Sequence, residues 1–265
     1  MKVILSIAGT TIGEAIRRKV LLVILLIGVL FVAIAPGLSV LSARQEKAVL
    51  IGMTLGILQL TSAVIAIVLT VYLIPNEIER RTIYTILSKP VQRYQFLVGK
   101  YLGAVGALGL MMALMTTVLV AVYALQQGPD VRSFEGLAPL VKPPVMYFVQ
   151  MSLLAAVAIC FSTFVTPLVN FFLSGGLYLV GTLLTAVFDS LKDAQGGSAF
   201  AKVVAQIIGI ALPHFSYYNV QNPIINPTQA IQDERMYYLI GAGYGLLYIG
   251  ILLIIGMFIF ERREV

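Results

Sequence analysis

The charged residues of this chain are bunched, and the stretches between them are long and apolar. Between consecutive charges run residues 20–43, 48–76, 101–129, 143–188, 203–232 and 236–260, which are 24, 29, 29, 46, 30 and 25 residues long. An α-helix rises about 1.5 Å per residue, so about 20 apolar residues cross a hydrocarbon core about 30 Å thick. Four of the gaps therefore hold one span each. The gap over 143–188 holds two, divided near Thr166, Pro167 and Asn170, where proline removes a backbone donor and asparagine tolerates a turn. The gap over 203–232 fails on content, since its apolar part, Val203–Leu212, spans only ten residues. After it come Pro213, His214, Asn219, Gln221, Asn222, Pro223, Asn226, Pro227, Gln229 and Gln232, whose polar groups are costly in hydrocarbon. This stretch reads as re-entrant or interfacial.

Composition agrees with lipid as the solvent. Charged residues are 11% of the 265, hydrophobic residues 59%, and mean hydropathy is +0.95, against roughly 25% charged in soluble domains. One cysteine (Cys160) and one histidine (His214) exclude a disulfide framework and a Cys/His zinc site, which need several such residues at set spacings. The expected architecture is an all-α integral membrane protein, one domain over 1–265. Transmembrane helices are expected at 20–41, 48–74, 96–125, 145–165, 168–188 and 237–260, with an amphipathic helix over 1–19 before them. A soluble segment over 75–95 joins spans two and three, and an outer segment covers 189–236.

Short inner loops of membrane proteins accumulate Lys and Arg, which orients the six spans. With the N-terminus inside, the inner segments hold eleven cations and five acids, the outer segments seven of each. The whole formal charge of +6 then lies inside, with both termini. A seventh span through 203–222 would carry Arg262 and Arg263 outside. The basic balance thus reports topology rather than nucleic-acid binding.

Residues 2–19 are amphipathic at helical period, with Val3, Ile4, Ile7, Ala8, Ile12, Ala15 and Ile16 on one side. A secretory signal puts its cations before its apolar core, whereas here Arg17, Arg18 and Lys19 follow. An interfacial helix leading into the first span is expected. Pro75 and Asn76 suit a helix start in the 75–95 segment. Glu77 and Arg81 sit four apart, Ile78, Thr82 and Ile86 line another face, and Pro90 ends the run. Two readings stand for it: a solvated anchor, or a face offered to a partner.

The residues Glu77, Thr82, Leu87, Ser88, Lys89, Pro90, Arg93, Gly99 and Lys100 resemble a pattern between the second and third spans of the membrane subunits of ABC exporters of the ABC-2 type. The layout is similar too: an elbow helix, six spans, an outer segment with Leu212, Pro213, His214 and Phe215 before the last, and an end with Phe260, Arg262 and Arg263. The resemblance implies a permease subunit in the cell (inner) membrane with cytoplasmic termini, working with a second permease half and a separate ABC ATPase. It implies that the 75–95 coupling segment docks on that ATPase through Glu77, Arg80, Arg81, Thr82, Arg93 and Lys100, with the Thr166–Asn170 turn as a smaller contact. ATP and Mg would then belong to the partner, and no cofactor to this chain. No G-x-x-x-x-G-K-[ST] motif occurs, since Tyr101 follows Gly99 and Lys100 and position 95 is Gln. Leu173, Ser174, Gly175, Gly176 and Leu177 mimic an ABC signature, but inside an apolar span.

Gly52/Gly56, Gly99/Gly103 and Gly241/Gly245 have GxxxG spacing, which lets helix backbones approach closely in lipid. Packing within the chain and a dimer seam are both open for them. Met111, Met112 and Met115 read as core filling rather than soft copper ligands. Tyr217, Tyr218, Tyr237 and Tyr238 suit an outer aromatic belt, and His214 an interfacial side chain. The span interiors hold no Asp, Glu, Lys, Arg or His except Lys100 near an inner end, where it is expected to snorkel. Ion-coupled transport usually needs buried ionisable or broken-helix sites, which disfavours a secondary transporter. A membrane hydrolase lacks a nucleophile with an ionisable companion. A non-transporting scaffold subunit of an envelope complex shares the topology.

Overall fold

The computed structural model describes residues 2–39, 46–79, 92–127, 134–184, 213–218 and 234–262. Every regular element among them is helical: α1 (Lys2–Arg17), α2 (Lys19–Ser39), α3 (Glu46–Val71), α4 (Pro75–Glu79), α5 (Arg93–Gln127), α6 (Phe134–Ser162), α7 (Pro167–Leu179) with a π-helical extension over Val180–Leu184, a 3-10 turn at Phe215–Tyr218, and α8 (Glu234–Arg262). Helices are what a chain rich in apolar residues must form in lipid, where no water is at hand for a free N–H or C=O. Five stretches are long and apolar enough to cross a membrane: Lys19–Gly37, Ala48–Glu77, Arg93–Leu125, Leu140–Ser162 and Arg235–Arg262. The expected span at 168–188 is helical over Pro167–Leu184. That is about 27 Å at the α-helical rise, and residues 185–188 lie outside the described residues.

The centre of the bundle is α6. Some 78% of its apolar stretch is enclosed by protein, against 28% for α2 and 22% for α8. It packs against α3, α5, α7 and α8, and every residue from Gln150 to Cys160 is buried. Met111, Met112 and Met115 of α5 are buried in the same core. The outward faces of α2, α7 and α8 show lipid-type surface instead, with Leu26, Phe31, Leu168, Phe172, Leu239 and Leu246 among the most exposed.

Hydrogen bonds tie this central helix to α3, α5, α7 and the 3-10 turn. Gln59 Nε2 of α3 donates to Gln150 Oε1 at 3.0 Å, and Gln150 Nε2 donates to the Phe215 carbonyl at 3.3 Å. Tyr101 of α5 donates to the Ser152 carbonyl at 3.2 Å. Asn170 Nδ2 of α7 donates to the Ala158 carbonyl at 2.9 Å, while its Oδ1 accepts from Ser174 Oγ at 2.9 Å. Asn170 was expected to ease a turn. The turn falls earlier, at Thr163–Val165, with Thr166 extended and Pro167 opening α7, and Asn170 sits fully buried within the helix. A buried amide must find partners, and the α6–α7 hairpin brings Ala158 within its reach. The Ser174–Gly175–Gly176 stretch lies on α7, with the Ser174 hydroxyl occupied by Asn170.

One further expectation is corrected. Tyr218 does not join an aromatic belt: it and Phe215 are fully buried, with Phe215 edge-on to Tyr178. Burial first, and nearby Tyr244 second, hold the Tyr218 hydroxyl above the ordinary phenol range, so it stays neutral. The His214 backbone N–H donates to Tyr244 Oη at 3.2 Å. Residues 189–212 and 219–233 of the expected outer segment lie outside the described residues.

Replacing Gln150 with Leu should leave the Gln59 amide without its acceptor inside the bundle. The expected loss is about 1–3 kcal/mol, read as a lower melting temperature in detergent. Gln59→Leu combined with Gln150→Leu should recover part of it, and an unchanged melt in the single variant would show the amides to be solvated.

A candidate coupling site at one end of the bundle

Lys100 lies two turns into α5, whose 35 residues extend about 52 Å and so overrun the hydrocarbon core. The Lys100 end is thus near the interface, yet its side chain is only 5% exposed. It does not snorkel as expected, because α1 lies along this end of α5 and covers it. An ammonium shut away from water needs an opposite charge. Nζ donates to Glu77 Oε1 of α4 at 2.6 Å and faces Glu14 Oε2 of α1 at 3.7 Å. Glu77 is nearly buried, at 14%, whereas Glu14 is 55% exposed, so the Glu77 bond is the strong one and the Glu14 contact is screened. Lys100 Nζ also lies 5.8 Å from the centre of the Phe96 ring.

At the start of the same helix, Arg93 Nη1 donates to the Phe260 and Glu261 carbonyls at 3.0 and 3.2 Å. These are among the last carbonyls of α8, which have no partner inside their own helix and carry partial negative charge. The guanidinium lies 5.9 Å from the Phe260 ring centre, and Phe260 stacks on Phe96 at 6.2 Å. Lys100 and Arg93 together join α1, α4, α5 and α8 at one end.

Small residues let α1 come this close. A Cβ on Gly99 would lie 2.8 Å from Ile7 Cβ, and one on Gly103 would lie 2.5 Å from Thr11 Cβ and 2.8 Å from the Ala8 carbonyl. Gly106 meets Ile12 in the same way. The buried residues of α1 are Ala8, Thr11 and Ala15, spaced at the helical period. Its large side chains Val3, Leu5 and Ile16 face outward. Gly241 and Gly245 are buried on α8, and a Cβ on Gly245 would meet Tyr218 Oη at 2.6 Å. Gly52 and Gly56 are half-buried on α3.

Of the residues singled out for ATPase coupling, Glu77, Arg93 and Lys100 come together at this end, while Arg80, Arg81, Thr82 and the helix end at Pro90 lie outside the described residues. Sequence reasoning passed over Glu14, whose signal was an acid on the helix preceding three consecutive cations. It also passed over Gln59 and Gln150, each a lone amide in an apolar run. Among the described residues no group of His, Cys, Asp and Glu is placed to hold a metal ion.

Removing one partner of a buried pair costs more than removing both, because a charge is left stranded. Glu77→Gln should destabilise the chain by roughly 3–5 kcal/mol, whereas Glu77→Gln with Lys100→Met should lie closer to the parent. Equal losses in the single and double variants, measured by thermal unfolding in detergent, would mean that Lys100 is hydrated.

Comparison with known proteins places this bundle. No curated protein matches the chain, but the family model for ABC-2 family transporter proteins matches residues 5–265. That match runs from the first turn of α1 through the end of α8 and takes in the whole ion cluster. The chain belongs to the ABC-2 family of transporter proteins.

Proposed function

We propose that this chain is the permease subunit of an ATP-driven exporter, pairing with a second permease half and two copies of a separate ABC ATPase. ATP and Mg reside on that partner, and this chain hydrolyses nothing. It sits in the cell membrane as six spans, the fifth being the 168–188 stretch, with both termini on the cytoplasmic side. The observation that carries the reading is the Lys100–Glu77 bond of 2.6 Å, which joins α4, at the mouth of the coupling segment, to α5.

On this reading the 76–88 segment meets the ATPase. When the ATPase pair closes on nucleotide, the push on that segment arrives at Glu77 and passes through Lys100 to α5 and α1. The permease halves then part along a central seam, and the 189–235 segment gates the exit. The turn between α6 and α7, at Thr163–Val165, gives a second, smaller contact to the ATPase. The apolar span interiors lean toward an amphiphilic cargo.

Mild extraction from the native host followed by mass spectrometry is expected to find a P-loop ATPase at roughly equal copy number. Repeated absence of one would favour a scaffold subunit. In the intact complex, Glu77→Ala with Arg81→Ala should uncouple transport, lowering substrate-stimulated hydrolysis while the basal rate persists. Unchanged ATPase binding together with unchanged stimulation would sink the coupling assignment.

A further inference from the structure

The elbow between α1 and α2 carries three consecutive cations, Arg17, Arg18 and Lys19. Arg17 and Lys19 are exposed and Arg18 is half-buried. Among the described residues none of the three pairs with a carboxylate. The one acid of α1, Glu14, lies a turn before them and faces Lys100 at 3.7 Å. Helix α1 packs on α5 and α2, and neither of those holds an Asp or Glu. Along the chain the next acid after Glu14 is Glu46, beyond the far end of α2. Three cations thus stand against one carboxylate, and that carboxylate already answers to a buried ammonium.

The depth of the elbow is fixed by α2. Its apolar stretch Lys19–Gly37 has 19 residues, or about 28 Å of helix, against a hydrocarbon core of about 30 Å. A span with no length to spare puts Lys19 at one boundary of the core. Immediately beyond it Val20, Leu22 and Val23 are exposed, and only 28% of the stretch is enclosed by protein, so acyl chains cover this side. On the other flank α1 turns Leu5 and Ile16 outward. The cations therefore stand at the level of the lipid phosphates, with apolar surface on both sides of them. Arginine offers a planar fork for phosphate oxygens, and lysine a point charge beside it.

We propose that the α1–α2 elbow is a binding surface for anionic phospholipid, with Arg17, Arg18 and Lys19 on the headgroups and acyl chains along Val20 and Val23. Net negative headgroups are preferred, because in a zwitterionic lipid choline already cancels the phosphate charge. An acidic face on a protein partner could also take these cations, but their place at the core boundary, next to lipid-covered side chains, favours the bilayer. Since α1 is locked to α5 at Gly99 and Gly103, lipid held here also steadies the helix that presents Glu14 to Lys100. The proposal rests on the membrane placement of the bundle and not on the ATPase partnership.

The chain has no tryptophan, so Val23→Trp, at a position one turn beyond Lys19 and 56% exposed, gives a local reporter. The full-length variant is reconstituted in phosphatidylcholine vesicles holding a minor fraction of brominated phosphatidylglycerol or brominated phosphatidylcholine. The phosphatidylglycerol should quench with a preference of roughly tenfold in relative binding constant, given three cations at the surface, and the preference should fade in molar salt. Adding Arg17→Gln and Lys19→Gln, which keeps Arg18 to orient the span, should remove most of it. A Leu246→Trp reporter, lipid-facing on α8, should show none. Native mass spectrometry of the otherwise unaltered chain should retain phosphatidylglycerol over phosphatidylcholine, which guards against a reporter that disturbs the elbow. Equal quenching by both lipids together with equal retention would overturn the proposal, as would a preference that survives loss of both cations. If the chain shows no lipid preference and Arg17→Gln with Lys19→Gln instead strips a co-purifying protein, the elbow belongs to that partner and the proposal fails.

Discussion

A buried ammonium sets the terms for one whole end of this molecule. Lys100 is nearly out of reach of water, and its charge is supportable only with a carboxylate beside it. Glu77 supplies that carboxylate from the start of α4, and Glu14 a weaker one from α1. The chain is thereby held at the point where α3 leaves the bundle, at the point where α5 returns, and along the helix that precedes both. Arg93 adds α8 through the Phe260 and Glu261 carbonyls and the Phe260 ring.

In the interior the same logic runs with neutral groups. The core around α6 is almost wholly apolar, and apolar contact alone does not choose between helix rotations when the surroundings are also apolar. The amides Gln59, Gln150 and Asn170 and the Tyr101 hydroxyl have definite partners on neighbouring elements. Each is modest in energy, about 0.6–2 kcal/mol in membrane proteins, yet each is satisfied in only one register. The aliphatic residues provide the packing, and these four side chains specify its arrangement.

Much of the helical layout was legible from the spacing of charges, because a charge inside hydrocarbon is costly and therefore rare. The ends were less so: α5 and α8 begin at Arg93 and Glu234, since a helix does not stop where hydrocarbon stops. Helical period placed Ala8 and Ala15 on the packed side of α1. What it could not give was which side chains are covered by distant parts of the chain. Asn170 looked like a turn residue, Tyr218 like an interface anchor and Lys100 like a snorkelling cation, by reasoning about each one's neighbours in sequence. All three are buried by helices 12 or more residues away, and burial of that kind is tertiary. The glycine spacing on α5 was visible, but that it receives α1 depends on a crossing no local pattern records.

That crossing has a mechanical consequence. The α1 backbone approaches α5 at Gly99 and Gly103, and the Ile12 side chain fills the next turn at Gly106. A seam so tight leaves no slack for one helix to slide on the other. The two helices then behave as a single stiff lever clamped at Lys100. Among the described residues, Arg18 alone interrupts helix between α1 and α2, so the compliance between this lever and the first membrane-crossing helix is concentrated in one peptide unit.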